Sequence, residues 1–400
     1  MNLMRFTTIS LMAAIAFPAA ALAVNPEDFA AKLSETILAQ STLEISFDSA
    51  LADGDTVILS GLKIPSLGES KAAEMLNRTL TFTGVSETAD GGYQAKQASV
   101  DDIDFTRKGV NLTLQNIVFN NIRLPGDPAN DTLGAMMIYQ GMSAGPLAVN
   151  IAGSDVFKID NIKTNTIVSS DQNLIEGSYA ISGIYGDLSQ VNDRDIKQLK
   201  EAFSISELTG RMDGAFSWNL GDGTLALNEA SVSLDKIGKI NLTLDLSGYT
   251  LALVKQLQEA NKSLAKLDPD SSEYQARSLQ MLMGAVTQLS FDSFGLRFDD
   301  ASISDKVLNM LTKEKGMSRQ DMIAAANAML PAVMADVASP VFIKQVVGAV
   351  SSFLENPQSI EVTARPNAPL PFLTIMAAAK DPSAVLDMLN VSVEANQEAK

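Results

Sequence analysis

LALNEASVSLDKIGKINLTLDL, residues 225–246, is the stretch that decides the fold. Leu225 and Leu227, then Val232 and Leu234, then Ile240, Leu242, Leu244 and Leu246 alternate with polar residues. A strand returns a side chain to the same face every second residue, whereas a helix takes 3.6, so this spacing predicts strands with one buried face. Asp222-Gly223 just ahead of it has the chemistry of a tight hairpin turn.

Moving toward the N-terminus, Val110, Leu112 and Leu114 repeat the alternation, and Val156, Ile162 and Val168 follow it more loosely. Asp53-Gly54, Asp90-Gly91-Gly92 and Asp213-Gly214 read as further turns. Gly91 to Ile122 and Gly214 to Leu246 share one texture: a strand, an acidic turn and a long alternating strand. Strands joined by such short turns pair antiparallel, so an antiparallel sheet, curved or sandwich-like, is expected from about Thr42 to Gly248. Ahead of it, Asn25 can cap a helix, Pro26 suits its first position and Glu27 and Asp28 suit its dipole. That helix should end near Gln40 and turn Phe29, Leu33, Ile37 and Leu38 inward.

The period changes after Tyr249. Val254, Leu257, Leu264 and Leu267 lie at helical spacing and Asp268-Pro269 stops that helix. A capping box of Asp270 and Glu273 starts the next, continued by Ala276, Leu279, Leu282, Met283 and Val286. Phe291, Phe294, Leu296 and Phe298 mark a return to a strand. Helices are expected over Asp305–Lys315, closed by Gly316, and over Arg319–Ala335, capped by Ser318 and kinked at Pro331. Another opens at Ser339-Pro340 with Val346, Val347, Val350 and Phe353 inward. Ile360–Thr363 and Val391–Val393 are closing strands, and Asp381-Pro382 caps a short helix between them. The fold class is therefore α+β: a strand-rich antiparallel sheet followed by a helix-rich segment with a few closing strands. The expected divisions are a leader over 1–23, a β-rich region with a short N-terminal helix over 24–250, and a helix-rich region over 251–400.

The leader has Arg5 as its single charge, an apolar run from Ile9 to Phe17, a break at Pro18 and the small-x-small exit Ala21-Leu22-Ala23. This is the pattern of a secretory signal peptide cleaved after Ala23, and the apolar run falls short of the ~20 residues of a membrane span. The expected location is the periplasm, with no transmembrane span in the mature chain. A lipoprotein needs a cysteine after the cleavage site, and the chain has none.

Composition excludes more chemistry than it suggests. Without histidine or cysteine there is no Ser-His-Asp or Cys-His nucleophile and no zinc site built from those ligands. A formal charge of −17 repels phosphate backbones, so no nucleic-acid partner is expected. Gly141-Met142-Ser143-Ala144-Gly145 matches the nucleophile-elbow pattern, but Pro146 follows at once and no histidine can take the proton. Ser233 with Lys236 and Ser263 with Lys266 match S-x-x-K. Ser233 falls on a strand, and Ser263 lacks the companion motifs and reads as part of a polar helix face. Asp101, Asp102 and Asp104, and Asp299 with Asp300, read as solvated turn charges rather than the 6–8 converging oxygens calcium requires. Aromatic content of 6% offers little stacking surface for sugars. The helices from Met317 to Leu354 are rich in Ala, Val and Met and read as core packing, with an apolar groove as the alternative. No catalytic residue, metal ligand or cofactor is assigned.

The strands of Gly223–Leu246 followed by Gly248-Tyr249 resemble the large β-rich periplasmic proteins of the AsmA-like and YdgA-like kind. The resemblance covers the middle of the chain and carries no functional residue over. It implies an envelope role and lipid handling; those proteins keep an N-terminal membrane anchor, whereas cleavage is expected here. The leading expectation is a soluble, non-catalytic periplasmic protein that binds an apolar, lipid-like ligand or an envelope partner protein. The alternatives are a His-free hydrolase or lyase using carboxylates, and a structural component of the envelope.

Overall fold

The computed structural model describes residues 24–398, apart from 42, 68–69, 71–74, 191–193, 195–196, 198–199, 201–202 and 204. The signal-peptide reading falls outside the described residues. The strands of the first half are β1 (Ser49–Asp53), β2 (Thr56–Ser60), β3 (Leu80–Thr83), β4 (Ser86–Glu87), β5 (Tyr93–Val100), β6 (Ile103–Arg107), β7 (Val110–Leu114), β8 (Ile117–Leu124), β9 (Tyr139–Ala144) and β10 (Leu147–Ile151). Those of the second are β11 (Ser154–Ile159), β12 (Asn161–Val168), β13 (Leu174–Asp187), β14 (Glu207–Asn219), β15 (Leu225–Leu234), β16 (Gly238–Ser247), β17 (Ser290–Asp300), β18 (Ser359–Ala364), β19 (Leu370–Pro371) and β20 (Val391–Ala395). Together they form one 20-stranded sheet. The helices are α1 (Pro26–Ser41), α2 (Thr132–Met136), α3 (Leu251–Leu264), α4 (Ser272–Val286), α5 (Ile303–Lys315), α6 (Arg319–Met334), α7 (Pro340–Glu355), α8 (Phe372–Ala378) and α9 (Pro382–Met388).

All the pairings are antiparallel. The main path runs β1-β2-β3-β5-β8-β9-β12-β13-β14-β15-β16-β17-β18-β20. The order β6-β7-β10-β11 continues the strands beside it and rejoins at β13. The two parts meet where β5 gives way to β6, β7 to β8, β9 to β10 and β11 to β12. Polar groups satisfy the backbone there: Asn116 N donates to Asp102 Oδ1 at 3.0 Å, and Asn116 Nδ2 to Gly145 O at 3.0 Å.

Helix α1 starts as expected, with Asn25 Oδ1 accepting from Glu27 N and Asp28 N at 3.1 Å each. It buries Phe29 and Leu33 against Val57, Leu59, Phe82 and Tyr93. Leu38, expected inward, is exposed, and Thr36 is buried instead. At 100° per residue, Leu38 lies opposite Phe29 while Thr36 lies beneath it. The Thr36 hydroxyl is satisfied by Lys32 O at 2.7 Å.

Two other expectations shift. Helix α4 is capped by Ser271, whose hydroxyl accepts from Tyr274 N at 3.1 Å, not by Asp270. Glu273 pairs with Arg277 at 2.8 Å rather than closing a capping box. Asp213-Gly214 is no turn but the middle of β14. Helices α2 and α8 had no distinct signal in the sequence. Ser318 caps α6 as expected, Asp321 completes a capping box with it, and α6 continues through Pro331. Gly316 closes α5 in a left-handed conformation. Strands β16 and β17 pair from Gly238↔Asp300 to Ser247↔Ser290, so the sheet runs through the change of texture at residue 250.

Candidate functional site

Directly opposed residues in neighbouring strands share a face. One such row reads Val57, Phe82, Ala98, Phe119, Met142, Thr164, Tyr179, Gly214, Ala230, Leu242, Leu296, Val362, Val393. It crosses almost the whole sheet and contains no charge. At one end it lies under α1, where Val57, Phe82 and Ala98 are buried. At the other it lies under α7, which packs on β18 and β20 and places Phe353 6.3 Å from Phe298.

Between these covers, β13 to β17 carry parallel apolar rows. One is Phe216, Leu227, Leu244, Phe294; the next but one is Ile181, Met212, Val232, Ile240, Phe298. This middle is open. Phe216 is 38% exposed, Ile240 51% and Leu296 39%. One end of it is closed by a small core of Ile175, Trp218 and Val254, with Leu133 and Met136 of α2 packed against it. Trp218 Nε1 donates to Tyr249 O at 2.6 Å, which fixes the start of α3 over the strand ends. From that end the rows extend about six residues, roughly 20 Å at ~3.3 Å each. Across five strands spaced ~4.8 Å, the open area is on the order of 400 Å², the size at which apolar patches on monomers are often functional.

Bulges keep this face apolar although the spacing in the sequence is uneven. Ala215 opposes Glu229 but Phe216 opposes Leu227, so Asn228 is an extra residue. Asp245 opposes Ser293 and Leu246 opposes Phe291, so Asp292 is another. Phe291 and Phe294, three apart, thereby reach the same side. Aromatic rings complete the floor: the Tyr179 ring lies over Gly214 and the Phe216 ring over Gly177, where a Cβ would overlap them.

The opposite face is polar and tied together across strands. Glu229 accepts from Lys239 Nζ and from Ser231 Oγ, both at 2.9 Å, and the lysine contact first of all holds its carboxyl below the usual range. Arg297 bridges Asp299 at 2.7 Å and Glu361 at 3.5 Å. Near the Asp292 bulge, Ser293 donates to Asp245 at 2.6 Å and Ser247 to Asp292 at 3.0 Å. Burial raises the Asp292 carboxyl, which the Ser247 hydroxyl partly offsets.

The residues weighed from sequence patterns are not brought together. Ser143 stands mid-strand in β9 opposite Lys163, not on a strand-to-helix turn. Ser233 opposes Lys239, while Lys236 lies in the following turn. Ser263 Oγ accepts from Arg277 Nη1 at 2.7 Å. Asp101 accepts from Thr79 N, Asp102 from Asn116 N and Asp104 from Asn111 Nδ2. Asp299 serves Arg297, and Asp300 accepts from Ser302 N and Ser304 N at the start of α5. No group of three or more acidic residues placed to hold a metal occurs among the described residues. The apolar residues of the face were visible in the sequence. That its middle lies uncovered was not, because this depends on where the helices come to rest.

No curated protein matches the chain. A family model described as "Uncharacterized protein" matches residues 231–396, the portion from within β15 through β20.

Proposed function

We propose that the chain is an exported, non-catalytic binding protein of the periplasm whose ligand is an amphiphile with an apolar chain. The observation that carries this reading is the apolar row buried under α1 and α7 at its ends and open over β13–β17. An extended hydrocarbon laid along Phe216, Leu227, Leu244 and Phe294 would remove water from a face that otherwise gains nothing by staying apolar. The floor is uncharged, so the ligand's polar head belongs beyond the edge of the open area. The resemblance to AsmA-like and YdgA-like proteins supports the same reading. N-terminal sequencing of the periplasmic protein should begin at Val24, which is buried in the α1 core.

The binding test is displacement of a fluorescent fatty-acid probe from chain 24–400. Saturable binding is expected, weakened about tenfold or more in Ile240→Asp/Leu296→Asp, where two carboxylates are set into the face. Both positions are exposed, so the fold is retained. Absence of binding, or equal binding by the variant, would sink the proposal.

A further inference from the structure

We propose that the end of the sheet where β16 stops and β17 starts docks on a zwitterionic lipid bilayer through the tips of three helices. The first is the α6–α7 hairpin, where Val333 is 72% and Val341 81% exposed and Val337 in the turn between them is also exposed. The second is the last turns of α4, with exposed Leu279 and Leu282. The third is α8, with exposed Leu373 and Met376. Phe372 N donates to Leu289 O at 3.2 Å, which sets α8 directly beside the exit of α4. Asn396 Nδ2 donates to Ser352 O at 3.0 Å, so the C-terminal end of α7 lies where β20 finishes. The helix runs along β20 and is about 24 Å long at 1.5 Å per residue, which carries its first turn back toward the end where β20 begins.

Charge selects the partner. Residues 322–343 hold one charged residue, Asp336, in a chain of net charge −17. A helix that reads an anionic surface carries an excess of basic residues on its polar side, whereas here Lys344 of α7 and Lys380 after α8 are offset by Asp336 and Asp381. Apolar side chains exposed on three separate helices can enter a fluid lipid surface through buried apolar area alone, with no match of headgroup charge. No described helix is long and apolar enough to cross a membrane, so the contact is interfacial. This docking stands on the helix tips and does not require the sheet face to hold a ligand.

The chain has no cysteine, so Val337→Cys accepts a single polarity-sensitive fluorophore, with Asn165→Cys on the polar sheet face as the control. Phosphatidylcholine vesicles should shift the label at 337 to the blue and leave that at 165 unchanged. Chain 24–400 should float with these vesicles equally at low and high salt. Val333→Glu/Val341→Glu should lower flotation about tenfold or more while fatty-acid probe binding stays intact, which separates this proposal from the one above. The proposal is overturned by absence of flotation, by equal shifts at both labels, by a requirement for anionic lipid at low salt, or by a variant that floats like the parent. A stable dimer dissolved by the two substitutions, without vesicle binding, would also overturn it and assign these tips to contact between copies.

Discussion

Gly214 and Tyr179 show how one missing side chain shapes the face. They oppose each other across β13 and β14, and the ring occupies the space a Cβ would take. Gly214→Ala should push the ring off the sheet and cost ~1–3 kcal/mol, the range for overpacking. Tyr179→Ala in the same molecule should recover part of that loss, measured by urea denaturation as a double-mutant cycle. Asp90 illustrates the opposite sensitivity, to charge. The Thr88 hydroxyl donates to its carboxylate and pulls its pKa down to about 2, assisted by the amides of Gly126 and Gly92. A folded-state value below the unfolded one gives stability that is present above pH ~4 and is lost as pH falls through about 2. Thr88→Val should move the Asp90 titration, followed by carboxyl NMR, upward toward 3.8.

Among the elements, those governed by local chemistry were legible in the sequence. The Ser318–Asp321 box, the Ser339-Pro340 start, the Gly316 stop and the strands around Leu225–Leu246 follow from the residues themselves. What failed had competing local readings. Asp213-Gly214 has turn chemistry, yet the ladder on both sides of β14 and the Tyr179 ring hold it extended. Asp270 and Ser271 are both good caps, and the backbone used the second. Helix α4 is the instructive case. Its apolar stripe has the spacing of a core-facing helix, but no residue of α4 is buried. Periodicity says which side chains share a face and is silent on what that face meets. Leu279→Gln should therefore change the unfolding free energy by no more than ~0.5 kcal/mol. A loss of several kcal/mol in thermal or urea unfolding would show that the stripe is packed. The candidate face was hidden for the same reason: its residues could be read, but its exposure is settled by helices distant in sequence.

At the scale of the molecule, the pairing of β16 with β17 joins the strand-rich and helix-rich portions through ten residue pairs. Ending the chain after Gly248 would leave β16 as a long apolar edge strand, a template for aggregation. Such a truncation is expected to be insoluble, whereas the chain from Val24 should unfold in a single calorimetric transition. Two separated transitions would show that the portions are coupled less tightly than the shared sheet implies. The extra residues Asn228 and Asp292 also bear on how such a chain can change its length. Deleting Asn228 would remove the bulge and leave β15 in regular alternation, with Leu227 still opposite Phe216 and Ala230 opposite Gly214. A second single deletion would then have no bulge to absorb it and would turn one half of β15 inside out relative to its neighbours, setting Val232 and Leu234 among Lys239 and Asp213. Within these strands, gaps and insertions are tolerated in twos, and an odd one survives where another bulge absorbs it.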